Sequence, residues 1–203
     1  MDLIALLGLP LDANSSFLLG CEHGPAAIRE SLLSASGNDA NEASVHVTSL
    51  IEDMGNVAVD NERGSFLDAD AITGAVDEQL AAGRQIISLG GDHSVTYPIL
   101  RAFRAHHAEL TVVHIDAHPD MYDDLDGNPL SHASPFARAL EDGCVTTLVQ
   151  LGIRTATQHQ VEQAGRWNVT MFSPRQLDRF DPATLHGPVY LSIDLDGLDP
   201  SCA

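Results

Sequence analysis

Short apolar runs rich in β-branched residues alternate with helix-like stretches along the whole 203-residue chain. The runs that predict strands are 3–9, 45–50, 85–89, 110–115, 145–151 and 189–193. The stretches that predict helices are 24–33, 68–83, 95–106 and 135–142, with Asp68 as a possible N-cap and Gly83 as the end of the second. This alternation indicates an α/β fold with a mainly parallel sheet.

The length supports one substantial hydrophobic core, so we predict a single domain over residues 1–203. No run of 18 apolar residues could span a bilayer, and the first ten residues lack the features of a signal peptide. We therefore expect a cytoplasmic protein without a membrane partner. Cys21, Cys144 and Cys202 show no paired spacing, which predicts packing roles rather than disulfides or a thiolate metal site.

The chain is strongly acidic, with a formal net charge of −19 and no lysine among its ten basic residues. A surface of this kind repels the phosphate backbone, so nucleic acid is a poor partner. It mildly attracts small cationic molecules.

Polar clusters begin where three apolar runs stop, as Gly-Gly-Asp-His, Asp-Ala-His-Pro-Asp and Asp-Leu-Asp. In open parallel sheets, binding sites form at the carboxyl ends of the strands. Side chains at positions i, i+2 and i+4 of an extended segment point the same way and can converge. The candidate metal ligands in these clusters are His93, Asp116, His118, Asp120, Asp194 and Asp196.

Four carboxylates packed with two imidazoles would repel one another unless cations were bound. Two divalent ions would resolve this. A carboxylate-rich set suits manganese or magnesium, whereas zinc favours imidazole and thiolate, and we favour manganese. Such a pair lowers the pKa of a shared water and supplies hydroxide near neutral pH. One Asp-x-His-x-Asp alone could be turn chemistry, but three clusters favour a metal site. Asp92, His114 and Asp199 either orient these ligands or serve only as turn and core residues.

The segments GGDHS (90–94), HIDAHPD (114–120) and SIDLDGLDP (192–200) resemble the ureohydrolase family of arginases, agmatinases and formimidoylglutamases. The stretches 6–20 and 116–140 look most like plant arginases and their bacterial relatives. The resemblance implies a three-layer α/β/α sandwich with a mainly parallel, eight-stranded sheet and two Mn²⁺ ions per subunit. It implies that one ion is bound by His93 with Asp120 and the other by His118 with Asp196, while Asp116 and Asp194 bridge both.

The resemblance also implies hydrolysis of a guanidinium C–N bond to urea and an amine, with His132 as the proton donor and Asp120 assisting it. Asn128 and Ser131 are candidate substrate-binding residues for a carboxylate. The aspartates at 123, 124 and 126 would instead suit the free ammonium of agmatine, or form a solvated acidic loop. We favour L-arginine as substrate, with agmatine or another guanidino acid as the alternative.

Family members continue beyond the position that matches residue 203, so the resemblance implies a C-terminally truncated chain that lacks the last strand and helix. We expect such a chain to expose a strand edge, to be poorly stable and to be inactive. At full length, the family implies a homo-oligomer, either a trimer or a hexamer. Two hypotheses compete with a ureohydrolase: a two-metal phosphoesterase and a non-catalytic metal-binding subunit.

Overall fold

The structure is a computed structural model and describes residues 3–201. Its strands are β1 (Ile4–Leu9), β2 (Ile51–Asn56), β3 (Ile86–Gly90), β4 (Thr111–Ile115), β5 (Thr147–Leu151), β6 (Thr170–Phe172) and β7 (Val189–Ile193). Its α-helices are α1 (Gly24–Leu32), α2 (Phe66–Ala81), α3 (Thr96–His106), α4 (Pro135–Glu141) and α5 (Gln158–Arg166).

The strands form two sheets, one in the order β2-β1-β3 and the other in the order β6-β5-β4-β7. Every pairing within them is parallel. The predicted α/β class with parallel strands is therefore confirmed. The strands do not form one continuous sheet over residues 3–201. Strand β3 pairs only with β1, and β7 pairs only with β4, so no backbone hydrogen bonds join β3 to β7. A side-chain contact links these two strand ends, since His93 Nε2 lies 3.0 Å from Ser192 Oγ.

Helices cover both faces of the first sheet. Alternate residues of β1, such as Leu7 and Leu9, pack against α2 and α3 in one apolar cluster. Leu6 points the opposite way and lines a small space with Leu32 and Leu33 at the end of α1. This alternation follows from the two-residue period of a strand, and it gives the layered arrangement that the sequence predicts.

The second sheet is covered by helices on one face and by an irregular segment on the other. Val112 of β4 and Leu148 of β5 share the largest core cluster with Phe136 of α4. Val113 and Val149 face away from that cluster and pack with partly buried side chains that include Phe180. The segment containing Phe180 consists of short 3-10 turns at Pro174–Arg179 and Pro182–Thr184.

Three local predictions need correction. The strand predicted at 45–50 is wrong: Val47–Leu50 is a 3-10 turn, and β2 follows it. Ser65 caps α2 by accepting a hydrogen bond from the Asp68 amide, whereas the Asp68 side chain accepts from the backbone of the preceding loop. Helix α5 and strand β6 were not predicted.

Strand β7 lies at the edge of its sheet. Val189, Leu191 and Ile193 alternate along it and are 48%, 54% and 55% exposed. The expected exposure of a strand edge and of apolar surface is therefore present in the described residues.

The predicted packing role agrees with Cys144, which is buried, and is wrong for Cys21, which is exposed. The prediction for Cys202 lies outside the described residues. None of the helices over residues 3–201 is both long and apolar enough to cross a membrane. The single domain over residues 1–203 and the cytoplasmic location stay predictions.

Candidate metal centre

The polar residues after β3, β4 and β7 meet at the carboxyl ends of these strands. The register pairs Ile115 with Ile193, and the Asp194 amide donates a hydrogen bond to the Ile115 carbonyl over 2.9 Å. Asp116 and Asp194 therefore leave neighbouring strands side by side. His93 begins a 3-10 turn soon after β3. The cluster thus joins the ends of strands from both sheets.

On one side of the cluster, three carboxylates surround a single imidazole nitrogen. His93 Nδ1 lies 2.9 Å from Asp120 Oδ2, 3.1 Å from Asp116 Oδ2 and 3.5 Å from Asp194 Oδ2. The His93 side chain is only 7% exposed. Bulk water therefore screens these charges poorly.

A second group of ligand atoms lies on the other side of Asp116. His118 Nδ1 is 3.1 Å from Asp196 Oδ2 and 3.5 Å from Asp116 Oδ1. Asp116 therefore presents Oδ2 to the His93 group and Oδ1 to the His118 group. A carboxylate placed in this way can bridge two metal ions, which is the role that the resemblance implies for it. The individual ligand roles stay predictions.

The electrostatics of the cluster favour a bound cation. Burial disfavours charge on His93, but the carboxylates of Asp116 and Asp120, which lie close to Nδ1, outweigh burial and raise the pKa of His93 well above its usual value. Burial, followed by repulsion from Asp194 and Asp116, raises the pKa of Asp196 to about 6. Both shifts indicate excess negative charge that divalent ions would neutralise.

His114 is fully buried and orients Asp116 through a fixed tautomer. Gln150 Nε2 lies 2.6 Å from the Pro119 carbonyl and 3.0 Å from His114 Nδ1. Because the side-chain nitrogen of Gln150 is a donor, Nδ1 of His114 accepts this hydrogen bond. Nε2 of His114 therefore carries the proton and donates to Asp116 Oδ2 over 2.7 Å. Burial opposes ionisation of Asp116, but the hydrogen bond from His114 and the nearby His93 ring prevail and lower the pKa of Asp116. Burial lowers the pKa of His114 itself.

Backbone geometry brings the loops of the cluster close together. A Cβ on Gly91 would lie 2.0 Å from the Leu11 carbonyl oxygen, and one on Gly197 would lie 3.0 Å from Asp116 Cα. Only glycine permits the first approach without movement of backbone. Asp120 has a φ of 50°, in the left-handed region that L-residues with a side chain rarely adopt. Such strain is typical of functional sites.

These residues fit a divalent metal. His93 Nδ1 is buried and makes no well-formed hydrogen bond, although carboxylate oxygens surround it. Asp116, His118 and Asp196 offer ligand atoms within 4.8 Å of one another, as do His93, His114 and Asp116. Because His114 Nε2 already donates to Asp116, Asp120 is the better ligand beside His93. Imidazole and carboxylate donors together suit manganese and similar ions.

The loop after β4 places the predicted proton donor near the loop after β1. His132 Nδ1 lies 2.9 Å from the Asn14 carbonyl, and its Nε2 lies 3.5 Å from Ser16 Oγ. Asn128 and Ser131 are buried. The Asn128 amide donates to Asn14 Oδ1, and Ser131 Oγ lies 3.4 Å from His132 Nδ1. Both predicted substrate-binding residues thus contact other protein atoms, and their role with a substrate stays a prediction.

Helix α5 holds the acidic part of the same loop. Asp123 accepts a hydrogen bond from the Gln163 side chain and lies 3.5 Å from His159 Nε2. Asp124 accepts from the Gly127 amide. These carboxylates are therefore partly engaged within the protein. Asp199 is exposed and accepts hydrogen bonds from the backbone amide and the hydroxyl of Ser201.

The sequence predictions did not include Asn14, Gln150 or Ser192. Each contacts a predicted functional residue, yet none was a candidate ligand, although Ser192 is the first residue of the segment 192–200. Ser192 and Gln150 occupy ordinary strand positions, where only the register of β4 with its neighbours reveals their role.

Comparison with known proteins agrees with this geometry. The model of the arginase family matches residues 2–203. The chain belongs to the arginase family. It is 36% identical to "Arginase 1, mitochondrial" of Arabidopsis thaliana over 98% of its own length and 63% of that relative. It is 34% identical to the N(1)-aminopropylagmatine ureohydrolase of Thermus thermophilus, covering 69% of that protein.

The fold of this arginase-family chain is also that of solved relatives. The arginase from Medicago truncatula superposes with a TM-score of 0.85 and 34% identity, over 100% of this chain and 68% of that one. Of the Arabidopsis relative, by contrast, the chain spans less than two thirds.

Proposed function

We propose that this protein is a manganese-dependent ureohydrolase that hydrolyses the guanidinium C–N bond of L-arginine to urea and ornithine. The observation that carries the proposal is the position of Asp116 between two groups of ligand atoms, one around His93 and one around His118. Membership of the arginase family supports the reaction class.

A guanidinium carbon is deactivated by resonance, so its hydrolysis needs a strong nucleophile and a proton for the departing amine. Two bound Mn²⁺ ions would supply an activated water. His93, Asp116, His118, Asp120, Asp194 and Asp196 would hold the ions.

His132 would protonate the departing amine from Nε2, since its Nδ1 is engaged by the Asn14 carbonyl. Asp120 would accept a hydrogen bond from the reacting guanidinium group. Asp120 is 6% exposed, so bulk water would screen this hydrogen bond poorly.

The acidic surface supports a cationic substrate. The net charge of −19 attracts a guanidinium compound and repels phosphate esters. Phosphoester hydrolysis usually requires cationic groups or a glycine-rich phosphate loop, which weakens the two-metal phosphoesterase alternative.

Arginine is our choice of substrate because plant arginases are prominent among the similar proteins. Agmatine is the alternative, since the acidic loop would suit a free ammonium and one relative is named as an aminopropylagmatine ureohydrolase. The partial engagement of Asp123 and Asp124 by protein donors favours arginine over agmatine.

We also propose that the full-length protein is a homo-oligomer, a trimer or a hexamer, and that it acts in the cytoplasm. The Arabidopsis relative is named as mitochondrial, so fractionation of the native cells is the relevant measurement. Sedimentation of the purified protein would give the number of subunits.

The deciding experiment measures bound manganese and urea release with arginine, agmatine and guanidinobutyrate. It uses the 203-residue chain and the protein at the full length that its gene encodes. We expect two Mn²⁺ per subunit and urea from arginine in the longer form, with little activity in the 203-residue chain. Manganese binding without urea from any substrate would identify a non-catalytic metal protein, and an absence of manganese binding would contradict the metal centre.

A further inference from the structure

Asn14 connects three loops around the candidate site, although it lies outside every metal-ligand motif. It is 4% exposed in the loop that follows β1. Its backbone N–H donates to Asp92 Oδ2 over 3.0 Å, and its side-chain nitrogen donates to Ser94 Oγ over 3.1 Å. Its side-chain oxygen accepts from the Gly64 amide over 2.8 Å and from the Asn128 side chain over 2.9 Å.

These four hydrogen bonds fix the remaining polar group of Asn14, its backbone carbonyl. That carbonyl faces His132, whose Nδ1 lies 2.9 Å away and whose backbone amide donates to it over 3.3 Å. A carbonyl oxygen can only accept, so the Nδ1 atom of His132 carries a proton. The neutral ring then has its lone pair on Nε2.

We propose that Asn14 is a positioning residue for His132, which holds the imidazole in the Nδ1–H tautomer and leaves Nε2 to exchange the proton of the reaction. The catalytic part of this inference rests on the proposed function. The positioning part does not, because it concerns the geometry of His132 itself. Asn14 contacts no predicted ligand or reacting atom in this arrangement, so it acts through His132.

The side chain of Asn14 matters because it holds its own backbone in place. Without the side-chain amide, Asn128 Nδ2 and the Gly64 amide lose their acceptor, and of these four hydrogen bonds Asn14 keeps only the one from its backbone N–H to Asp92. Asn61 still holds the amides of Asp12 and Ala13 just before it, so the expected change is a local movement of the Asn14 carbonyl. Movement of the carbonyl would release His132 to rotate and to change tautomer. A fixed ring nitrogen is what general acid catalysis requires of histidine.

The experiment compares Asn14→Ala and Asn14→Asp with an Asn41→Ala control. Asn14→Asp retains an acceptor for Gly64 but loses the donor to Ser94. Asn41 is a matched control because its side-chain oxygen also accepts from two backbone amides, those of Ala43 and Val45, on the exposed surface.

The first readout is the tautomer of His132, measured by long-range ¹H–¹⁵N spectra of histidine-labelled protein under mildly alkaline conditions. A His132→Gln variant assigns the signal. We expect the Nδ1–H form in the wild type and in Asn41→Ala, a mixture of forms in Asn14→Ala, and an intermediate result in Asn14→Asp. An Nε2–H form in the wild type would overturn the proposal, as would an unchanged Nδ1–H form in folded Asn14→Ala. If Asn14→Ala does not fold, Asn14→Asp and the wild-type spectrum decide.

The second readout is steady-state kinetics of the full-length enzyme loaded with manganese. We expect kcat to fall about 10- to 100-fold in Asn14→Ala with a much smaller change in KM, because a misplaced acid affects the transition state. A rise in KM at constant kcat would contradict a positioning role. If no protein, including the wild type, releases urea, the proposed function fails, while the tautomer spectra still test the positioning of His132.

Discussion

Asp194 contributes to the cluster a carboxylate that no other group replaces. Its Oδ2 lies 3.5 Å from His93 Nδ1, and its Oδ1 accepts from the Asp196 amide over 2.9 Å. Removal of this side chain therefore takes away a predicted ligand and a hydrogen bond that holds the backbone of a second predicted ligand, Asp196. Asp199 is the natural comparison because it is also an aspartate in the loop after β7, but it is exposed and bonded to Ser201.

We expect Asp194→Ala to reduce bound manganese from two ions to at most one per subunit. We also expect kcat to fall by at least about 100-fold, because the metal site supplies several kcal/mol of transition-state stabilisation. Metal analysis and urea assays at full length check this. Asp199→Ala should keep both ions, and full activity in Asp194→Ala would rule out the two-metal mechanism.

Gly91 is a residue at which one added methyl group would disturb the site. Its Cβ would overlap the Leu11 carbonyl, at 2.0 Å, so backbone must move to accommodate it. We expect Gly91→Ala to lower the free energy of unfolding by at least about 2 kcal/mol and to weaken metal binding through the adjacent Asp92-His93 pair. Urea denaturation and metal titration measure the two effects.

Gly74 provides a matched control inside α2, where a Cβ would meet no atom within 4 Å. Gly74→Ala should raise the free energy of unfolding by about 0.5–1 kcal/mol, because alanine favours helix more than glycine does. Equal effects of both substitutions would show that the close approach at Gly91 is not important.

At the scale of elements, the connection between α4 and β5 buries a titratable thiol. Burial, followed by the negative charge of Asp142, raises the pKa of Cys144 from 9.0 to about 11. A folded-state pKa above the unfolded value means that this contribution to stability is full below pH 9 and is lost as pH rises towards 11.

We expect the free energy of unfolding to fall by roughly 2 kcal/mol between about pH 8 and about pH 10.5 because of this thiol. Urea denaturation at both pH values measures the change. Cys144→Ala lacks the thiol, so its free energy of unfolding should fall less over this pH interval, by about that amount. Identical pH dependence in the two proteins would contradict the assignment to Cys144.

The elements that the sequence predicted correctly are those with a buried apolar pattern. Strands β4 and β5 and helix α3 lie in the core, and their composition alone indicates them. Strand β2 was misplaced because its residues, Ile-Glu-Asp-Met-Gly-Asn, are mostly exposed at the sheet edge, where pairing with β1 decides the conformation.

Helix α5 was missed for a related reason, because its sequence is mostly polar and two of its three buried residues are Gln160 and Gln163. A signal was available, however, in the capping box that Thr157 and Gln160 form at its start. The six residues predicted as ligands lie close together in the structure, because each follows the carboxyl end of a parallel strand. Asn14 and Gln150 act through contacts between distant segments, which no local pattern contains.

At the scale of the whole molecule, the metal cluster lies where the two sheets meet. His93 follows β3 of one sheet, while Asp116 and Asp194 follow strands of the other. Over residues 3–201, no backbone ladder joins β3 to β7. Bound ions would therefore link the sheets and favour the folded state, in which the ligands are together.

We expect saturating Mn²⁺ to raise the melting temperature of the chelator-treated protein by roughly 5–10 °C, as binding at about 100 times Kd contributes some 2.7 kcal/mol. Thermal unfolding followed by circular dichroism measures the shift. The increase should be smaller in Asp194→Ala. No shift in the wild type would show that the ions do not link the two sheets.

The outer edge of β7 makes the tendency of the chain to self-associate depend on salt, because two opposing forces act on it. The backbone N–H and C=O groups at this edge offer a template for another strand at short range, beside the exposed apolar side chains of Val189, Leu191 and Ile193. The charge of −19 keeps molecules apart at long range, but salt shortens that range from about 10 Å at 0.1 M to about 3 Å at 1 M. Light scattering should therefore show association that increases with ionic strength, so dilute, low-salt buffers are the conditions in which this chain stays dispersed.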